Sequence, residues 1–164
     1  MTADAVSPDI GTLDVGSAAP DFTLPTDGSG SITLSKLRGR NVIVYFYPKD
    51  DTSGCTKEAC GFSEALPDFR AANTEIIGIS KDSVSSHDKF KAKYGLGFTL
   101  ASDPDAKVAE SYGTWIEKSM YGRKYMGMDR ATFLIDAQGV VRGIWRKVKI
   151  PGHVAAVLKA ARDL

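Results

Sequence analysis

Cysteine and histidine are almost absent from this chain: two of each in 164 residues. So few cysteines exclude a secreted fold held by several disulfides, and a close pair in a reducing compartment is more often redox-active or metal-binding. Zinc needs three or four ligands, and His87 and His153 lie far apart and in no ligand-spaced cluster, so redox use of Cys55 and Cys60 is the stronger reading. Long hydrophobic runs are missing too. The longest, Val42 to Tyr47, is too short to cross a bilayer. The first nine residues have acidic groups but no basic segment and no apolar stretch, which points to a cytoplasmic protein. No charge dominates: 21 Lys and Arg face 20 Asp and Glu, which argues against nucleic acid or an anionic membrane as partner. Repeats and low-complexity tracts are also lacking, and the length and apolar content suit one domain over residues 1–164, with about 1–12 loosely held.

What is present is an alternation of strand and helix signals. Phe22 to Leu24 and Ser31 to Leu34 flank the turn residues Asp27-Gly28-Ser29-Gly30, predicting a β-hairpin, and Ser35 is placed to cap a helical turn over Lys36 to Arg38. A strand follows from Asn41 to Tyr47. From Gly54 to about Ala72, residues Ala59, Phe62, Ala65, Leu66 and Phe69 recur at helical spacing, with Gly61 and Pro67 marking a weak or kinked middle. Further strands are expected at Glu75 to Ser80, Phe98 to Ala101, Thr132 to Ile135 and Val140 to Trp145. Helices are expected from Val84 to Tyr94, ending at Gly95, from Pro104 to Tyr112, and from Val154 to Leu164. This order implies a mixed sheet covered on both faces, and a thioredoxin-like α/β sandwich fits it.

The chemistry concentrates where the strand breaks at Pro48 and Cys55 enters the first turn of a helix. There, backbone N–H groups, including those of Gly54 and Cys55, aim at the sulfur and favour the thiolate. A thiolate that attacks an O–O bond must be ionised, reachable and faced by donors that stabilise charge on the departing oxygen. Thr52, three residues earlier, can turn its hydroxyl toward the sulfur. Pro48 offers no N–H and can shield the pocket floor from water.

Pro48-x-x-x-Thr52-x-x-Cys55 resembles the active-site motif of peroxiredoxins, and the run from Tyr47 to Cys60 is similar to that of the bacterioferritin-comigratory, or peroxiredoxin Q, subfamily. The resemblance extends to Ala19 to Leu24, Lys118 to Gly122 and Arg130 to Asp136, nearly the whole chain. It implies that Arg130 joins Pro48, Thr52 and Cys55. It also implies that Cys55 is the peroxidatic residue, oxidised to sulfenic acid, and that Cys60 resolves it as an intramolecular Cys55–Cys60 disulfide reduced by thioredoxin. Glu58, one turn after Cys55, is expected to orient Arg130. No metal or organic cofactor is implied, the substrates would be hydrogen peroxide and organic hydroperoxides, glutaredoxin is an alternative reductant, and the expected state is a monomer. Ser53 departs from the subfamily, where proline is common; a serine can cap the helix instead.

Plainer readings stand beside these. Paired cysteines are often small buried hydrophobes, and a lone arginine is usually a surface residue. Asp50 and Asp51 read as solvated loop acids, His87 and His153 as exposed helix residues, and Trp115, Trp145, Tyr45 and Phe46 as core. Gly95-Leu96-Gly97-Phe98-Thr99-Leu100 starts like a dinucleotide fingerprint but lacks its last glycine and runs into a strand. Two other functions compete with a peroxidase. A general thiol-disulfide oxidoreductase would use Cys-x-x-Cys, and four residues intervene here. A redox-gated binding module or holdase would consume at most one equivalent of peroxide per chain.

Overall fold

The computed structural model describes residues 13–164, so the expectation for residues 1–12 lies outside the described residues. Strand β1 (Thr23–Thr26) pairs antiparallel with β2 (Gly30–Thr33) through a short 3-10 turn at Asp27–Ser29, which is the expected hairpin. A second 3-10 turn, Leu34–Leu37, follows. Ser35 lies inside it rather than capping it, its N–H donating to Asp21 Oδ1 at 2.8 Å.

The remaining elements are β3 (Asn41–Phe46), α1 (Ser53–Ala71), β4 (Thr74–Ser80), α2 (Val84–Tyr94), β5 (Thr99–Ser102) and α3 (Lys107–Ser111). They continue with β6 (Trp115–Met120), β7 (Arg123–Met128), β8 (Ala131–Ile135), β9 (Val141–Trp145) and α4 (His153–Arg162). The seven-stranded sheet runs in the order β9-β8-β3-β4-β5-β1-β2, parallel across β3, β4 and β5 and antiparallel elsewhere. This is a thioredoxin-like α/β fold. Among the described residues no helix is long and apolar enough to cross a membrane.

Strand β3 explains why the sheet is covered on both faces. Its alternating side chains divide between two cores: Val42, Val44 and Phe46 pack with Ile77, Ile79, Tyr112 and Phe133, while Ile43, Tyr45 and Tyr47 pack with Cys55, Phe62, Phe69 and Val157. The second core is closed by α1, whose buried residues Cys55, Glu58, Ala59, Phe62, Leu66 and Phe69 form one stripe. That stripe carries the helix unbroken through Gly61 and Pro67, so the expected weak middle does not appear. Gly61 has a packing use: a Cβ there would lie 3.1 Å from Val154 Cγ2, so the glycine lets α4 approach α1.

Two regions depart from expectation. Pro104 does not begin a helix; the chain first turns at Ala106 (φ +59°), and α3 starts only at Lys107. The β6–β7 ribbon, a separate two-stranded sheet, was not foreseen. Its signal was the Tyr121-Gly122 pair alone, since both residues have positive φ (52° and 78°), the condition of a two-residue type I′ hairpin.

Candidate active site

Strand β3 delivers the site. Tyr47 still donates its N–H to Ile79 O (3.1 Å), after which the loop 48–52 leaves the sheet and α1 begins. Thr52 is the N-cap residue but makes no side-chain capping bond; its Oγ1 donates to Lys49 O at 3.0 Å, and its carbonyl accepts from Thr56 N at 2.8 Å. Ser53 is the first helical residue rather than the cap that its position suggested. Pro48 is exposed, because the chain turns outward as it leaves the strand, so it does not form a buried pocket floor.

Cys55 lies in the first turn of α1 and is buried. Arg130 reaches it from the segment between β7 and β8. Its Nη2 donates to Cys55 Sγ at 3.3 Å and its Nη1 to Glu58 Oε1 at 2.6 Å. The two acceptors share a helix face because they are three residues apart. Gly54 leaves room for this bridge: a Cβ there would sit 3.2 Å from Ile150 Cδ1 and 3.3 Å from Arg130 Nη2. The structure thus brings together Cys55, Glu58, Gly54 and Arg130, four residues up to 76 positions apart in numbering from Gly54 to Arg130.

Electrostatically the cluster is unequal. Burial pushes the Glu58 carboxyl up to about 7 against the opposing pull of Arg130, and its second oxygen, Oε2, is buried without a hydrogen-bond partner. Burial, followed by the charge of Glu64, pushes the Cys60 thiol up. Tyr45, whose Oη is also buried and unpaired, is held well above its ordinary range by burial and then by Glu58 and Cys55. Both cysteines are free thiols. Among the described residues no group of three or more His, Cys, Asp or Glu side chains could hold a metal ion.

Three residues read as solvated are buried. Asp50 accepts from Tyr47 Oη (2.5 Å) and Ser86 Oγ (2.8 Å) and pairs with His87 Nδ1 (2.7 Å). His87 is fully buried, with Nε2 3.0 Å from Ala101 O. His153 contacts Thr132 Oγ1 at 2.8 Å, and burial, then the charge of Arg130, lowers it to about 4. Each histidine sits on its helix's buried stripe, His87 three residues before Phe90, and His153 four and eight before Val157 and Ala161. That spacing was the signal. Asp51, by contrast, is exposed as expected, and Tyr45 and Phe46 are core residues, while Trp115 and Trp145 are only partly buried.

The AhpC/TSA family model matches residues 15–144. A bcp relative from Coxiella burnetii is 53% identical over 147 residues, covering 90% of this chain and 97% of its own. Peroxiredoxin Bcp of Bacillus subtilis is 43% identical over 153 residues, covering 93% and 98%. Two solved structures from Xanthomonas campestris, one of peroxiredoxin Q and one of a bacterioferritin comigratory protein studied for alkyl peroxide reduction, superpose with a TM-score of 0.86 at 42% identity. They cover 93% of this chain and 97% and 98% of theirs. With its fold and cysteine loop in agreement, the chain belongs to the AhpC/TSA family and, within it, to the peroxiredoxins of the bacterioferritin comigratory protein and peroxiredoxin Q group.

Proposed function

We propose that Cys55 is the peroxidatic residue of a thiol peroxidase acting on hydrogen peroxide and organic hydroperoxides, with Cys60 as resolving residue and thioredoxin as reductant. The observation that carries this reading is the Arg130 guanidinium shared between Cys55 Sγ (3.3 Å) and Glu58 Oε1 (2.6 Å). It places a fixed positive charge beside the sulfur, where it favours the thiolate and then the departing oxygen. The thiolate attacks one peroxide oxygen, the O–O bond breaks, and the second oxygen leaves as alkoxide or hydroxide and takes up a proton, giving Cys55 sulfenic acid and an alcohol or water. The Thr52 oxygen, whose proton points to Lys49 O, retains lone pairs to accept the peroxide O–H. The N–H groups of Gly54 and Cys55 add dipolar support, Pro48 ends the strand ahead of them, and Glu58 orients Arg130.

Cys60, whose thiol is pushed up by burial and by Glu64, stays protonated while Cys55 reacts. It then displaces water from the sulfenic acid to form the Cys55–Cys60 disulfide, which a dithiol such as that of thioredoxin, or of glutaredoxin, reduces. A monomer suffices, because both thiols lie on one helix, and a reducing compartment such as the cytoplasm would supply the reductant. The relative from Xanthomonas campestris studied for alkyl peroxide reduction supports the substrate class. A steady-state assay coupling peroxide loss to NADPH oxidation through thioredoxin and its reductase tests the whole reading. Sustained turnover that disappears in Cys55→Ser, with a single equivalent consumed by Cys60→Ser, is the expected result. Turnover by Cys55→Ser, or consumption by the parent that stops at one equivalent, would overturn it.

A further inference from the structure

The loop that precedes Cys55 is gripped at both ends of helix α2. Near the helix start, the Asp50 carboxylate takes the Ser86 Oγ–H bond (2.8 Å) and pairs with His87 Nδ1 (2.7 Å), while Tyr47 Oη donates to its other oxygen (2.5 Å). His87 is itself pinned, because its Nε2 must carry hydrogen to bond the Ala101 carbonyl at 3.0 Å. The Asp50 backbone N–H donates to Asp82 Oδ2 (2.8 Å). At the helix end, Lys93 Nζ (2.8 Å) and Tyr94 Oη (2.6 Å) hold Asp51. Asp51 has φ +58°, a left-handed conformation that a non-glycine residue keeps only when its surroundings hold it there. Thr52, the next residue, is the N-cap of α1, so the direction in which Thr52 and Cys55 are presented depends on how that turn is held.

We propose that α2 positions the peroxide-reacting loop, with Asp50 and His87 as positioning residues and Asp51 as the second point of attachment. The inference rests on the peroxidase reading of Cys55. It accounts for a buried acid and a buried histidine that the reaction itself does not use, and for a left-handed residue immediately before Thr52.

The test compares two reactions of Cys55, oxidation by hydrogen peroxide in stopped flow and alkylation by iodoacetamide. Only the first needs Thr52 and the loop backbone in register. A reacting group displaced by about 1 Å costs on the order of 10²-fold, so Asp50→Ala and His87→Ala should lower the peroxide rate constant by at least ~10-fold and leave alkylation within ~3-fold. Asp50→Asn is the rescue: its oxygen still accepts from Tyr47 and its amide can donate to His87 Nδ1, so its peroxide rate should stay within ~3-fold of the parent. Lys93→Ala combined with Tyr94→Phe removes both bonds to Asp51, together with the surface contact of Lys93 Nζ over the Tyr94 ring, and creates no interior cavity. It should slow peroxide oxidation selectively even if Asp50→Ala does not fold. Parent-like peroxide rates in Asp50→Ala or in the double variant, equal losses in both reactions, or Asp50→Asn as slow as Asp50→Ala would overturn the inference. A parent that consumes no peroxide would overturn the peroxidase reading with it.

Discussion

Glu58 carries a charge that its surroundings only half compensate. One oxygen is bonded by Arg130 at 2.6 Å, the other is buried with no partner, and burial raises the carboxyl from 4.5 to about 7. A carboxyl whose folded value is raised favours the folded state only while protonated. Its contribution is therefore full below about 4.5 and is lost as pH rises through about 7, by about 3 kcal/mol in all. Denaturant titrations of the parent and of Glu58→Gln across that window should show the parent losing stability relative to the variant as pH rises; a parent that gains would show that Arg130 outweighs burial. Residue-scale legibility followed the kind of signal each residue carried. Cys55, Thr52 and Pro48 stood together in a short motif, whereas Arg130 was placed only through family resemblance, since spacing says nothing about a contact between residues 75 positions apart. Asp50, His87 and His153 run against the average exposure of polar residues, and only the buried helical stripe on which both histidines sit marks the burial of those two in the sequence.

At the scale of elements, the first turns of α1 pose a geometric conflict. Residues five apart in an α-helix have Cα atoms roughly 9 Å apart, and a disulfide needs them within about 7 Å, so Cys55 and Cys60 cannot bond while Ser53–Ala71 stays helical. Closing the proposed disulfide therefore requires the turn between them to open. Amide hydrogen exchange across Thr56 to Phe62 should be slow in the reduced protein and fast in the disulfide form. Equal protection in both, with the bond confirmed by mass, would contradict the pairing or the opening. Most elements were legible because their apolar periodicity is strong: α2 begins at Val84 and ends at Tyr94 as read, closed by Gly95 in the left-handed conformation (φ +63°). The β6–β7 ribbon was not, because its outward strands have no core-facing pattern to reveal them, with Met120, Tyr121, Tyr125 and Met126 all exposed. Pro104 misled because proline at a helix start and proline in a preceding turn look alike until the following residues are placed.

Across the whole molecule, β3 separates two cores that have unequal relations to the site. Phe133 packs against Phe46 and Tyr112 on one face, and Phe62 stacks on Tyr45 at 4.8 Å on the other, both fully buried. Replacing either with alanine should cost about 3–5 kcal/mol. Only Phe62→Ala removes support from the helix that carries Cys55, so thermal melts should fall alike while peroxide oxidation slows in Phe62→Ala alone. Comparable rate losses in both would mean that the two cores respond as one. The ribbon joins the first core only at its base, through Met128 and Trp115, and projects beyond it. It is closed at its base, where Asp129 N–H donates to Thr114 O (2.7 Å) and Lys118 Nζ to Met128 O (2.5 Å), and immediately beyond that closure the chain yields Arg130. Its tip, at Tyr121, is 98% exposed. An insertion at the exposed Tyr121-Gly122 turn should therefore leave Arg130 in place, so that a protein carrying an epitope, a reporter or a whole appended module there is expected to oxidise at the parent's rate in a peroxide assay.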